Sequence, residues 1–435
     1  MTDDMKQSLL FREGAEFAAS LDMLDTLSGF RDRFFIPRNR DGGDSIYFCG
    51  NSLGLQPRQT SEYIQGVLDV WRDSAVKGHF ANENAWTSYH EVMGEALSNL
   101  VGAKPSEVVA MNSLTVNLHL MLVSFYRPDA FRKSILMEEK SFASDRYAVA
   151  SQLRYHGSDP SKHIVEIPLD SNGRFTTEGV LEVIERCRDT ACLVLLGGVN
   201  YYNGQFFDIP AISMAAHNAD MLLGLDLAHA IGNVPLRLHE WDVDFAVWCS
   251  YKYLNAGPGG TAGCFIHERH ASNTGLPRFA GWWGHDKATR FDMPRDFVAI
   301  PGADGWQLSN QGMVSLAALH ASLDMFDEIG ISVLRDKSIR LTGYLQYLLE
   351  KQLSEDFSII TPSATDARGC QLSLRLPRRG RALFRWLSEH DVVCDWREPD
   401  VLRLAPVPFY NTFTEVYRFA RLVHEFHEEK AGITT

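Results

Sequence analysis

The middle of the chain alternates short apolar runs with patterns typical of amphipathic helices, and this alternation limits the possible folds more than any other feature. Strands that alternate with helices predict crossover connections and a largely parallel sheet flanked by helices. In such sheets, ligands bind at the carboxyl ends of the strands. The candidate strands are Ile46–Cys49, Val108–Met111, Ser134–Met137, Ile164–Ile167, Cys192–Leu196, Met221–Leu225 and Phe245–Cys249. The candidate helices between them include Thr60–Val76, Thr87–Val101, Leu114–Phe125, Asp145–Tyr155 and Thr177–Cys187.

The pattern changes near residues 302–310, which predicts a second domain. Beyond this point the sequence predicts helices at Gln311–Asp327, Ser332–Lys351, Ala382–His390 and Phe413–His427, and an alternating strand at Gln371–Leu376. We therefore predict a helical N-terminal arm over residues 1–45, a large ligand-binding α/β domain over 46–309, and a small α+β domain over 310–435. The arm is helical near residues 13–27 and is expected to pack on the small domain.

The composition excludes several classes of protein. The 435 residues include 42 Lys and Arg and 55 Asp and Glu, which gives a net charge of −13, and 45% of them are hydrophobic. These values are ordinary for a folded globular protein. The acidity argues against nucleic acid or an anionic membrane as the main partner, since both require a basic surface. The longest apolar run, residues 191–199, is only nine residues long, whereas a membrane helix needs roughly 18 or more.

The cysteines and the N-terminus predict a cytoplasmic protein. Seven cysteines are scattered from Cys49 to Cys394 without a CxxC pair, which is typical of reduced thiols. The first residues, MTDDMKQSLLFREG, carry acids where a signal peptide carries bases.

Three short motifs give only weak functional signals. The GNSLG sequence at 50–54 matches the nucleophile elbow of serine hydrolases, but residues 55–57 separate it from any helix, which favours a simple turn. His267 and His270 are three positions apart rather than four, which favours a surface charge cluster over a metal site. The glycine-rich stretch at 257–263 has neither the GxGxxG spacing of a dinucleotide-binding loop nor the spacing of a Walker loop, so it is a weak candidate for nucleotide binding.

Two charged residues follow buried strands and fit one cofactor, pyridoxal phosphate. Lys252 comes after a buried strand and lies between Tyr251 and Tyr253. Burial frees a lysine amine to act as a nucleophile, although a surface lysine beside aromatic residues is the ordinary alternative. Asp226 also follows a buried strand, where a carboxylate needs a positive partner such as a pyridinium nitrogen. A helix N-cap is an equally good explanation for Asp226 alone, and His229 alone is more often a core histidine.

A third feature, Asn112–Thr115, lies where a strand ends and a helix begins. Free backbone N–H groups at such a turn bind anions, and the helix dipole adds roughly 0.3–1 kcal/mol. The phosphate of the cofactor suits this place, although simple Ser/Thr capping explains the pattern in isolation. Phe142 follows a strand and is placed to lie flat against the cofactor ring. The order of phosphate cup, Asp and Lys along one α/β domain favours pyridoxal phosphate.

The sequence resembles the kynureninase family. The motifs that carry the resemblance are residues 47–57 (YFCGNSLGLQP), 114–119 (LTVNLH), 224–230 (GLDLAHA), 250–260 (SYKYLNAGPGG), 281–285 (GWWGH) and 405–408 (APVP). The resemblance runs from about residue 45 to the C-terminus. It implies the α/β architecture of fold type I pyridoxal phosphate enzymes, a homodimer, and active sites at the subunit interface.

The resemblance also implies roles for individual residues. Lys252 would bind the cofactor as a covalent imine, Asp226 would pair with the ring nitrogen, and Tyr251 would be a catalytic acid–base. The implied cofactor-binding residues are Leu114, Thr115, Phe142, Ala143, Ser144, Asp145, Asp226, His229, Tyr251, Lys252, Trp282 and Asn310. The implied substrate-binding residues are Arg403, which would clamp the α-carboxylate with its two-pronged guanidinium, together with Ser52, His79 and Asn310.

Three positions depart from the family pattern. Gly197 stands near a place where a hydroxyl residue is often found, Asn203 stands where Thr is usual, and Gln311 replaces a frequent proline. One phosphate or ring contact is therefore in question, but we expect activity to be retained.

The implied reaction is hydrolysis of the Cβ–Cγ bond of kynurenine or 3-hydroxykynurenine, which gives alanine and anthranilate or 3-hydroxyanthranilate. This would place the protein in tryptophan degradation and pyridine nucleotide biosynthesis. Polar residues at His79 and Asn310 predict a preference for the 3-hydroxylated substrate. Competing interpretations are another fold type I enzyme, such as a cysteine desulfurase or aminotransferase, and a cofactor-binding homologue without turnover.

Overall fold

The structure is a computed structural model that describes residues 11–80, 85–273, 275–352 and 357–431. The chain divides into two compact bodies. The larger body comprises Gln56–Tyr201 and Gln205–Ile331, and the smaller comprises Met1–Leu55, Tyr202–Gly204 and Ser332–Thr435. Among the described residues, no helix combines the length and the apolar character needed to cross a membrane.

A seven-stranded sheet organises the larger body. Its strands are β2 (Val108–Ala110), β3 (Ser134–Glu138), β4 (Ile164–Ile167), β5 (Ala191–Gly197), β6 (Leu222–Asp226), β7 (Phe245–Trp248) and β8 (Gly263–Ile266). Their order is β2-β8-β7-β6-β5-β3-β4. The five neighbouring strands β7, β6, β5, β3 and β4 pair in parallel, whereas β8 is antiparallel to both β7 and β2. The predicted mainly parallel α/β sheet is confirmed.

The helices of the larger body lie between its strands along the chain, as the alternating sequence pattern predicts. They are α2 (Thr60–Ser74), α3 (Gly94–Val101), α4 (Leu114–Phe125), α5 (Ala143–Tyr155), α6 (Pro160–His163), α7 (Thr177–Arg186), α8 (Ile209–Asn218), α9 (Glu268–Ala271) and α10 (Met313–Ile329). Helix α4 lies in the core, and eight of its twelve side chains are apolar. Helix α7 buries Val180, Val183 and Ile184 on one face, and the Thr176 side chain accepts from the Gly179 N–H at its start. The single helix predicted at Thr87–Val101 is instead a 3₁₀ turn, Tyr89–Met93, followed by α3.

The smaller body has its own sheets and its own core. Strands β12 (Asp395–Arg397), β13 (Val401–Leu404), β10 (Leu372–Arg375) and β9 (Ser358–Ile359) form an antiparallel sheet in that order, and β1 (Ile46–Tyr47) pairs in parallel with β11 (Val392–Val393). Its helices are α1 (Ala15–Met23), α11 (Ile331–Glu350), α12 (Gly380–Glu389) and α13 (Phe413–Ala431). Ala18 and Leu21 of α1 lie in one core with Phe419 and Val423 of α13.

The division of the chain differs from the predicted boundaries at residues 45 and 309. Residues 46–55 belong to the smaller body because β1 pairs with β11, and the pairing joins Ile46 to Val392. Helix α10 belongs to the larger body, where its Ala321 carbonyl oxygen accepts a hydrogen bond from the Gln59 side chain. The later boundary therefore falls between Ile331 and Ser332 rather than at 309.

Candidate active site

A cleft opens in the larger body at the carboxyl ends of β3, β5 and β6. The residues that line it are Leu114, Thr115, Glu138, Phe142, Ser144, Asp145, Gly197, Val199, Tyr201, Asp226, Ala228, His229, Tyr251 and Lys252. This is the edge of the sheet at which parallel strands place a ligand. The structure therefore brings together, in one cleft, the lysine, the aspartate and the helix start that the sequence singled out separately.

Lys252 lies in the turn that follows β7 and reaches into the cleft. Its Nζ lies 3.0 Å from His229 Nε2, and it also lies 5.9 Å from the centroid of the Phe142 ring. Trp248, at the end of β7, is fully buried. The amine is thus held at the cleft by an imidazole and an aromatic face, which suits a nucleophile.

Asp226 and Asp145 form a buried carboxyl pair on one wall of the cleft. Asp226 ends β6, and its Oδ1 accepts from the Ala228 N–H at 2.7 Å. Burial raises the pKa of Asp226, while Lys252 and a hydrogen bond from Asp145 oppose the rise. Burial and the neighbouring Asp226 raise the pKa of Asp145 well above its usual range. Two carboxyls in contact cannot both ionise easily, so the pair retains a proton to a higher pH than two separate carboxyls would.

Two helix starts converge at another wall of the cleft. Helix α4 begins after Ser113, and α5 begins at Ala143. Thr115 Oγ1 and Ser144 Oγ lie 2.8 Å apart, which places two hydroxyls and the free N–H groups of two first turns together. Such a set binds a doubly charged anion well.

Gln311, which departs from the family pattern, has a defined place behind this anion cup. Its Oε1 accepts from the Asn112 N–H at 3.1 Å, and Asn112 adopts a positive φ of 51°. The Asn112 side chain in turn donates to Asn117 Oδ1 at 2.9 Å. Gln311 therefore supports the turn that leads into α4, so the substitution leaves the cup ordered.

Phe142 and Tyr251 provide the aromatic part of the site. Phe142 precedes α5, and its half-exposed ring meets Tyr201 edge to face, with centroids 5.3 Å apart. Its open face is available to a planar ligand. Burial and the neighbouring Cys249 raise the pKa of the Tyr251 hydroxyl, so this group keeps its proton at neutral pH.

Three of the predicted site residues lie in the larger body but do not line this cleft within the described part of the chain: Trp282, Asn310 and His79. Trp282 is 44% exposed and donates from Nε1 to the Arg290 carbonyl oxygen at 3.0 Å. His79 packs edge to face on Trp86, with ring centroids 5.3 Å apart. Asn310 is exposed. Their implied roles stay predictions.

Arg403 and Ser52 belong to the smaller body. Arg403 lies on β13, is 1% exposed, and is ion-paired with Asp395. Asp395 also accepts from Arg397 at 2.9 Å. Ser52 lies in a turn in which its N–H donates to the Cys49 carbonyl oxygen at 2.9 Å. This turn agrees with the interpretation of residues 50–54 as a turn, because the next helix of the described chain starts only at Thr60.

His267 and His270 take part in an ion-pair network that is more buried than a surface cluster. Asp244 is fully buried and is contacted by His270 Nε2 at 2.7 Å and by Arg269. His267 stacks on His239, with ring centroids 4.8 Å apart and planes within 7°. His239 and His267, together with Glu107, each place one possible ligand atom within 4.8 Å of the others.

Among the described residues that line the cleft, Glu138 is the charged one that the sequence motifs do not identify. It ends β3, it lines the cleft, and only 4% of its surface is exposed. The available signal was an acid at the end of a buried strand, which is the same signal that identified Asp226. The predicted strand ends at Met137, one residue before Glu138, whereas β3 includes Glu138.

Comparison with known families and structures supplies an independent result. Residues 46–378 match the model of the aminotransferase class-V family, and residues 334–423 match that of the kynureninase C-terminal domain. The chain is 51% identical to a kynureninase of Koribacter versatilis (strain Ellin345) over 406 residues, covering 93% of this chain and 96% of the relative. It is 52% identical to a kynureninase of Myxococcus xanthus (strain DK1622) over 419 residues, covering 96% and 98%.

The fold is also found among known structures. The crystal structure of the cysteine desulfurase CsdA from Escherichia coli superimposes with a TM-score of 0.75, covering 93% of this chain and 98% of that one. The two sequences are only 18% identical, so the similarity concerns the fold alone.

Proposed function

Because the chain belongs to the kynureninase family, we propose that the cleft at the carboxyl ends of β3, β5 and β6 is its active site. The protein is a pyridoxal-phosphate-dependent hydrolase that acts on a carbon–carbon bond. It cleaves the Cβ–Cγ bond of L-kynurenine or L-3-hydroxykynurenine to give alanine and the aryl acid. The individual residues have the following proposed roles in binding and catalysis.

The residues present fit pyridoxal phosphate. The Thr115 and Ser144 hydroxyls at two helix starts suit its phosphate, and the Asp226 carboxylate suits its ring nitrogen. The open face of Phe142 suits its ring, and the Lys252 amine suits its aldehyde. Asp145 Oδ1 is buried without a hydrogen-bond partner, which leaves one polar atom in the cleft for a ligand to satisfy. Leu114, Ala143, His229 and Tyr251 complete the proposed cofactor-binding set, together with Trp282 and Asn310. When bound, the cofactor withdraws electrons from the substrate Cα.

Lys252 and Tyr251 are the proposed proton-transfer groups. Lys252 Nζ removes the proton from the substrate Cα, and His229 at 3.0 Å orients that amine. Tyr251 keeps its hydroxyl proton at neutral pH and is the proposed acid–base for the oxygen on Cγ. Asp226 stays ionised opposite the ring nitrogen and is the third catalytic residue.

Arg403 is the proposed clamp for the substrate α-carboxylate, with Ser52 as a further substrate contact. Replacing Arg403 with Lys is expected to raise KM about tenfold or more with a smaller change in kcat, because Lys cannot make the parallel pair of charge-assisted hydrogen bonds. Steady-state kinetics with kynurenine check this. Arg397→Lys is the matched control, since Arg397 also contacts Asp395 but is 36% exposed. A KM change of equal size in both variants would argue against a clamp.

His79 and Asn310 are the proposed specificity residues for the ring hydroxyl of 3-hydroxykynurenine. Replacing both with Leu is expected to reduce the ratio of kcat/KM for 3-hydroxykynurenine to that for kynurenine by about tenfold, since the lost partners leave the substrate hydroxyl unmatched. Parallel assays of the two substrates measure the ratio, and the unhydroxylated substrate serves as the internal control. An unchanged ratio would contradict the assignment.

We further propose a homodimer whose active sites lie at the interface and receive Trp282 and Asn310 from the neighbouring subunit. The cytoplasm is the proposed location, and the seven free cysteines support a reducing compartment. Tryptophan degradation and pyridine nucleotide biosynthesis are the proposed pathways. The substrate is a small amino acid, and we propose no nucleic-acid or membrane partner.

The observation that carries the proposal is that Lys252 and Asp226 line one cleft. The test is incubation of the purified holoprotein with each substrate while aryl acid and alanine are measured. Release of both products in equal amounts is expected. Aryl acid without alanine, or no turnover of either substrate, would contradict the function.

A further inference from the structure

A short segment, residues 303–311, supports helix α4 at both of its ends. At the carboxyl end of the helix, the buried Trp306 donates from Nε1 to Ser124 Oγ at 2.9 Å. At the amino end, Gln311 Oε1 accepts from the Asn112 N–H at 3.1 Å. Because α4 provides one of the two helix starts in the anion cup, this segment fixes one half of the cup.

The turn before α4 has a backbone conformation that depends on its hydrogen bonds. Asn112 has a φ of 51°, which a residue other than glycine adopts at a cost unless its surroundings fix it. Its carbonyl oxygen accepts from the Ala262 N–H at 3.0 Å, and its side chain donates to Asn117 Oδ1 at 2.9 Å. Its N–H donates to Gln311. The direction in which α4 starts is therefore set by these three bonds.

Neighbouring acceptors determine which end of the Gln311 amide faces Asn112. Gln311 Nε2 donates to the Ser309 carbonyl oxygen at 3.1 Å and lies 3.5 Å from Gln307 Oε1. Gln307 is fully buried, and its own amide nitrogen donates to Asp304 at 3.0 Å. Because carbonyl and carboxylate oxygens only accept, each amide turns its nitrogen toward these oxygens. The Gln311 oxygen is therefore presented to the Asn112 N–H.

The anion cup is the part of the site that depends on this support. Thr115 Oγ1 lies 2.8 Å from Ser144 Oγ, and the two hydroxyls belong to different helices. A shift of α4 would separate them, whereas Asp226 and Lys252 follow strands β6 and β7 and would keep their places. Loss of the support should therefore weaken the binding of a phosphate more than the binding of the cofactor ring.

We propose that Gln311 is a positioning residue for the phosphate of the cofactor. It fixes the start of α4 and thereby favours pyridoxal phosphate over unphosphorylated pyridoxal. This inference rests on the proposed function of the cleft, and it assigns Gln311 no contact with the cofactor or the substrate. Gln311 replaces a frequent proline of the family, so the role does not follow from the resemblance.

The test is the Kd of two ligands, pyridoxal phosphate and pyridoxal, for the full chain, measured by equilibrium dialysis. Gln311→Met keeps the length of the side chain and removes its hydrogen-bonding groups. It is expected to raise the Kd of pyridoxal phosphate about fivefold, because the Asn112 N–H loses its acceptor, and to leave the Kd of pyridoxal nearly unchanged. Gln307→Met is expected to act in the same direction by a smaller factor, because it removes only a support of the Gln311 amide.

Gln205→Met is the matched control. Gln205 and Gln311 are equally buried, each with 9% of its surface exposed, and Gln205 Oε1 also accepts from a distant backbone N–H, that of Phe175 at 2.9 Å. This variant is expected to keep the wild-type ratio of the two Kd values. A parallel rise of both Kd values in Gln311→Met would overturn the proposal, since it would show a general loss of structure. Two unchanged Kd values in that variant, or an equal change of the ratio in Gln205→Met, would overturn it as well.

If Gln311→Met does not fold, hydrogen exchange of the wild-type chain without cofactor decides. Slow exchange of the Asn112 N–H in that state supports the proposal, and exchange at the rate of an unstructured peptide overturns it. Failure of the proposed function is distinguishable, because the wild-type chain would then neither bind pyridoxal phosphate nor release alanine from kynurenine.

Discussion

Replacing Lys252 with Ala is expected to lower kcat/KM for kynurenine by at least about 10³-fold, the largest effect of any single change considered. The substitution removes the amine that binds the cofactor and the base that takes the proton from the substrate Cα. His229, 3.0 Å from Nζ, loses its partner but cannot replace the amine. The measurement is steady-state turnover of purified variant protein saturated with pyridoxal phosphate.

Two additional measurements separate chemistry from folding in this variant. Lys104→Ala removes an exposed lysine whose Nζ contacts Glu268 at 2.6 Å, and it is expected to keep full activity. A small primary amine added to the Lys252→Ala protein is expected to restore part of the lost rate, since it supplies the missing base. Full activity of Lys252→Ala without added amine would remove the basis of the account.

Asp226→Asn is expected to lower kcat about 10²–10³-fold, because a neutral amide no longer stabilises positive charge at the ring nitrogen. The variant is expected to bind the cofactor, since the anion cup at Thr115 and Ser144 is intact. Single-turnover kinetics with saturating pyridoxal phosphate measure the effect.

Asp244→Asn is a matched control for the loss of a buried carboxylate. Asp244 precedes β7, at the amino end of a strand of the same sheet, and accepts from the Leu223 N–H at 2.7 Å. Breaking its network with Arg269 and His270 is expected to cost about 1–3 kcal/mol of unfolding free energy while leaving kcat nearly unchanged. Equal loss of kcat in the two variants would show that Asp226 acts through stability alone.

The sequence predicted the parts of the fold that local patterns determine. Leu114–Phe125 and Ile164–Ile167 agree with the predicted bounds, because a helix start signal and an apolar run flanked by polar residues are local features. Lys252, Asp226 and Thr115 were placed correctly in one cleft because the carboxyl ends of parallel strands share an edge.

The sequence could not reveal features that depend on distant pairing. Strand β1 is two residues long, and only its pairing with Val392 places it in the smaller body. Three of the four strands of the antiparallel sheet there are two to four residues long and were not predicted. The Gly197 N–H that donates to Glu138 comes from another strand, so the local sequence does not show this contact.

The fold alone does not separate this protein from cysteine desulfurases, which share it. Cys249 and Cys264 are buried, and burial raises the pKa of both thiols, so neither is suited to attack a substrate. The full-length identity to kynureninases, together with the cleft chemistry, accounts for the function.

The most direct test of the central claim is to locate the cofactor on the chain. The purified holoprotein is reduced with borohydride, digested, and its peptides are analysed by mass spectrometry. The account predicts one phosphopyridoxyl group, carried by Lys252. Finding that group on a different lysine, or recovering the Lys252 peptide unmodified from fully active enzyme, would contradict it.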